Sequence, residues 1–137
     1  MYESYASWWE AVADAVPDAV ALVQGDRRIT YRDLDDRAAR LAAALTSLGV
    51  GPGARIALHL YNCPEYLEAC AAAFKVRAVP VNVNFRYRAG ELAYLLDNAD
   101  AEVVVTHASL TPMLAEALPG LSGSAPSSSS TTGSRPA

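Results

Sequence analysis

Segments with apolar residues at helical spacing alternate along this chain with short, nearly continuous apolar runs. In the first segment Tyr2, Tyr5, Trp9, Val12 and Val16 recur at spacings of three and four. That is one face of an amphipathic helix, and Pro17 stops it. Trp8 lies off the stripe. "AVALVQGDRRIT" (19–30) then reads as two short strands around a Gly25-Asp26 turn. Thr30 caps the next helix, with Asp33 where a capping box usually has Glu. Leu34, Ala38, Leu41, Leu45 and Leu48 make its buried stripe. Asp33–Arg37 and Asp36–Arg40 are spaced i,i+4 with the acid first, on a solvated face. Gly49 ends the helix.

Beyond Gly49 the period switches repeatedly. "ARIALHL" (54–60), "AVPVNV" (78–83) and "EVVVTH" (102–107) read as strands. "PEYLEACAAAFK" (64–75), "AGELAYLLDNA" (89–99) and "SLTPMLAEAL" (109–118) read as helices, the first with Pro64 at its opening position. The order β-α-β-α-β-α predicts an α/β fold over residues 1–121: a partial parallel sheet with flanking helices. At Ser122 the pattern stops. Residues 122–137 include seven serines and no aliphatic side chain larger than alanine. Such a segment cannot bury enough apolar surface to offset its ordering entropy, so a disordered tail is expected.

Bulk properties narrow the function. At 137 residues, 52% hydrophobic and 19% charged, the chain suits one globular domain. The net charge is −4 and no basic patch marks a nucleic-acid binder. "MYESYASWWEAVADAV" has acids and no Lys or Arg, unlike a signal or transit peptide. No apolar run approaches the ~20 residues of a membrane span, and a cytoplasmic location is expected. Cys63 and Cys70 lie seven apart in a helical segment, a separation of ~10 Å that is too long for a disulfide. No His or acidic cluster joins them as metal ligands, so buried or half-buried thiols are expected.

Four places qualify as ligand sites. "GVGPG" (49–53) has the glycines of a phosphate loop, but it lies between a helix end and a strand start, where carbonyls repel anions. "LYNCPEY" (60–66) is a true strand-to-helix turn, yet Glu65 already occupies the positive end of the dipole. His59 sits inside a strand with no acid placed to orient it, which favours a structural histidine over a general base. "NVNFRYR" (82–88) follows a strand at the carboxyl edge, where open α/β sheets bind ligands. Asn82, Asn84, Arg86 and Arg88 offer donors there, and Phe85 and Tyr87 offer flat surfaces. The competing reading is a turn with asparagines capping strand ends and arginines in solvent.

Three stretches, "ITYRDL" (29–34), "GVGPGARIALHLYNCPEYLEACAAAFKVRAVPVNVNFRY" (49–87) and "ELAYLLDNADAEVVVT" (91–106), follow one another in order. Together they resemble the N-terminal part of the adenylate-forming, AMP-binding enzymes, and most closely the bacterial acyl-CoA synthetases, or fatty-acid–CoA ligases. The resemblance covers residues ~5–121. It implies ATP-dependent activation of a carboxylic acid to an acyl adenylate, then transfer to CoA, with Mg²⁺ neutralising phosphate charge. ATP, Mg²⁺ and CoA are thus implied for the full-length family, with a small-molecule acid as substrate. The family's phosphate loop has the form Thr-Ser-Gly-Thr-Thr-Gly-x-Pro-Lys-Gly, and its other contacts and catalytic lysine come later. "STTGSRPA" shares Thr131, Thr132 and Gly133 with that loop, but Ala137 stands where the lysine belongs. No residue is therefore assigned a catalytic, cofactor-binding or metal-binding role.

Two readings follow. The chain is a piece of an acyl-CoA ligase, inactive alone, or it is a non-catalytic interaction module that reuses the scaffold and self-associates through an exposed sheet edge.

Overall fold

A computed structural model describes residues 4–121 and 127–131 of the chain. Helix α1 (Tyr5–Ala15) starts at Ser4, whose hydroxyl accepts the Ser7 N–H at 3.2 Å. Strands β1 (Val20–Gln24) and β2 (Arg27–Thr30) pair antiparallel around Gly25, which sits at φ +56°, a region glycine enters without a Cβ clash. Thr30 Oγ1 accepts the Asp33 N–H at 3.2 Å and opens helix α2 (Tyr31–Ser47). Gly49, at φ +84°, turns the chain out of α2.

A β-α-β-α-β run follows, as expected: β3 (Arg55–His59), α3 (Pro64–Lys75), β4 (Val79–Asn82), α4 (Ala89–Asn98) and β5 (Val103–His107), then α5 (Thr111–Ala117). Strands β3, β4 and β5 are parallel, with Ile56 beside Pro80 and Val103. The sheet order is β4-β3-β5-β6. Strand β6 (Ser127–Thr131) runs parallel to β5, Val103 opposite Ser127 and His107 opposite Thr131. This element departs from the sequence expectation. Without it that side of β5 would be left as a row of unpaired N–H and C=O groups, and a serine backbone satisfies them as well as any other. The rest of the expected tail, 122–126 and 132–137, lies outside the described residues.

Strands β3 and β5 are covered on both faces, hence their continuous apolar runs. On one face Ile56, Leu58, Val103 and Val105 meet Leu45 of α2 and Ala69, Ala72 and Ala73 of α3. The alanines let α3 approach the sheet closely. On the other face Ala57 and Val104 meet Leu92 and Leu96 of α4 and Leu114 of α5.

Two side-chain expectations are corrected. Helix α1 buries the small Ala6 and Ala13 and half-buries Trp9, while Val12, Val16 and Tyr5 stay exposed, the Tyr5 ring lying against Phe74 with centroids 5.2 Å apart; Tyr2 lies outside the described residues. The pattern marked the large apolar residues, but close packing of α1 onto α2 and α3 selects the small ones. In α2, Leu34, Ala38, Ala42 and Leu45 are buried, whereas Leu48 at the helix end is exposed. The intrahelical pairs also do not form. Arg37 reaches across to Glu68 and Glu65 of α3 instead of Asp33, and no ion pair joins Asp36 to Arg40 among the described residues. Lys75, at the end of α3, holds Glu10 of α1 and Asp35 of α2 at 2.7 Å each. One ammonium thus ties three helices.

Candidate functional site

The carboxyl edge of the sheet collects the chemistry-bearing residues. His59 and Thr106 are neighbours on β3 and β5, and both are buried. Thr106 Oγ1 donates to the His107 carbonyl at 3.4 Å, which leaves it to accept from His59 Nδ1–H at 3.1 Å. His59 Nε2 is buried without a hydrogen-bond partner among the described residues. Burial holds the imidazole below its ordinary pKa of 6.5, so the ring is neutral near pH 7. Among the described residues no carboxylate bonds the ring, and Thr106 is its side-chain partner.

Above it lies an aromatic cluster that the sequence did not reveal. Tyr61 meets the Phe85 and His107 rings edge-on, each with centroids 5.0 Å apart. Its hydroxyl is 3.1 Å from Ser109 Oγ, which lies 2.9 Å from His107 Nδ1. The Ser109 N–H also donates to that Nδ1, at 3.2 Å. Three loops are locked together here, and a hydroxyl pair that lies 48 residues apart in sequence leaves no local signal.

"NVNFRYR" takes the turn reading for its asparagines. Asn82 Oδ1 accepts the Tyr66 hydroxyl at 2.8 Å, and Asn84 Oδ1 accepts the Arg86 N–H at 3.0 Å. Tyr87 N–H donates to the Asn84 carbonyl and closes the turn. The Arg86 guanidinium lies 5.6 Å over the Phe85 ring, and both Arg86 and Arg88 are exposed. Backbone N–H of Arg88 donates to Glu91 Oε2, which opens α4. The edge therefore keeps two guanidiniums in solvent and commits the amides to structure.

The α3 N-terminus is filled from within. Glu65 accepts from Arg27 at 2.9 Å, with Arg37 at 3.8 Å. Burial pushes the Glu65 carboxyl up, but the Arg27 hydrogen bond, the helix backbone and the Cys63 thiol outweigh it, so it lies below the usual carboxylate value. Arg27 is correspondingly raised, chiefly by Glu65. Burial raises both thiols, Cys63 and Cys70, and both are free. They are protonated and unreactive. "GVGPG" is the α2–β3 connector, with Gly53 N–H donating to the Arg77 carbonyl at 2.9 Å.

This donor set does not fit a nucleotide triphosphate. Among the described residues no group of three His, Cys, Asp or Glu is placed to hold a metal ion. The β3–α3 turn already holds Glu65 in the first turn of its helix. Of the loop-like residues in the tail, Thr131 closes β6, while Thr132 and Gly133 lie outside the described residues.

Comparison with known proteins supplies the context for this scaffold. The AMP-binding enzyme family matches residues 9–134, which extends past Leu121 and takes in β6. The medium-chain acyl-CoA ligase Mig of Mycobacterium avium is 42% identical over 125 residues, 82% of this chain and 23% of Mig. The 3-oxocholest-4-en-26-oate–CoA ligase of Rhodococcus rhodochrous is 40% identical over 110 residues, 80% of this chain and 20% of that enzyme. The solved structure of a Mycobacterium tuberculosis fatty acyl CoA synthetase superposes with a TM-score of 0.84 at 28% identity, over 93% of this chain and 26% of that one. The chain spans about a fifth of the length of the curated relatives it matches. With the motifs, the parallel sheet and these matches in agreement, the chain belongs to the AMP-binding enzyme family.

Proposed function

We propose that these residues serve an ATP-dependent acid–CoA ligase as the N-terminal scaffold of its large domain, and that alone they form no acyl adenylate. In the reaction so served, a fatty-acid carboxylate attacks the α-phosphorus of ATP and pyrophosphate leaves. CoA sulfur then displaces AMP from the acyl carbon, giving the thioester. ATP, Mg²⁺ and CoA belong to that whole reaction, which we place in fatty-acid metabolism in the cytoplasm. No helix among the described residues is long and apolar enough to cross a membrane.

The observation that carries the proposal is the 42% identity to an acyl-CoA ligase over a stretch amounting to 23% of its length. The site chemistry supports the inactive half of it. His59 has no acid, Glu65 and Glu68 are committed to arginines, and the asparagines of 82–84 close a turn. The test is acid-dependent exchange of labelled pyrophosphate into ATP. The isolated chain should give no exchange above a no-acid blank, and Mig carrying this chain in place of its matching segment should exchange. Exchange by the isolated chain overturns the inactivity, and a folded but inactive chimera overturns the scaffold role.

The outward apolar face of α1 favours a second reading, a non-catalytic interaction module. It requires a cooperatively folded chain with a defined partner or oligomer, and an aggregated or molten chain excludes it.

A further inference from the structure

We draw no further inference here: the strongest candidate, the groove of about 420 Å³ between the hairpin and α2 lined by Arg27, Arg28, Arg37 and Arg40, also has Asp33 and Asp36 in its walls, and nothing in the structure shows what covers it.

Discussion

Lowering the pH from 7.5 to 5.5 should destabilise this fold through one residue, His59. The ring is fully buried, its Nδ1 bonded to Thr106 and its Nε2 facing no acceptor among the described residues. Protonation would put a charge where neither water nor a carboxylate compensates it, so burial holds the folded pKa below 6.5. The sign follows from proton binding. As pH falls below the unfolded value, the unfolded chain takes up a proton that the folded chain refuses, and stability is lost down to the folded pKa. The loss has a ceiling of about 1.36 kcal/mol per pH unit, or about 1.4 kcal/mol across this interval. For a domain of this size that is a drop of roughly 4 °C in Tm. Glu65 does not confuse the window, because its pKa is lowered from 4.5 and its contribution is lost only at more acid pH. Urea midpoints at several pH values, compared between the wild-type chain and His59→Gln, measure the effect. The glutamine amide can still reach Thr106 but does not titrate. The variant should lose most of the slope between pH 7.5 and 5.5, and an unchanged slope would refute the assignment to His59.

Two further outcomes follow from the packing. Lys75→Met removes the cation shared by Glu10 and Asp35 and should cost about 1–2 kcal/mol, below the sum of two charge-assisted bonds because both acids are partly solvated. Amide exchange should quicken in α1 before α2, and equal quickening throughout would contradict the clasp. Arg77→Gly should stabilise by up to about 1 kcal/mol, since Arg77 holds φ +60° just beyond α3, where a Cβ is penalised. A lower urea midpoint would show that the arginine side chain contributes more than its backbone costs.

The parts of this fold that were legible in the sequence are those encoded by local periodicity. The hairpin at Gly25, the Thr30 cap, Pro64 at the start of α3 and the three apolar strands of the sheet all follow from spacing and turn chemistry. What escaped depends on tertiary proximity. Arg37 has acids at helical spacing on its own helix, yet it turns to Glu68 on α3, and nothing in the local sequence ranks those partners. Helix α1 misled because hydrophobicity and burial diverge: Ala6 and Ala13 are buried against its neighbours, while Val12 and Val16 of the expected stripe stay exposed. Strand β6 escaped because four serines and a threonine carry no apolar pattern in the sequence, while pairing with β5 needs only a backbone. The Tyr61–Ser109–His107 lock joins residues whose proximity only the closed sheet creates.

The measurement that most directly tests the central claim is acid-dependent pyrophosphate–ATP exchange by Mig carrying this chain in place of its own matching segment. If the chain is a scaffold that positions chemistry carried elsewhere, the folded chimera should retain at least about a tenth of the parent rate, a loss of no more than ~1.4 kcal/mol in transition-state stabilisation. The isolated chain should remain at the blank. A folded chimera at the blank, or exchange by the chain alone, would contradict the account.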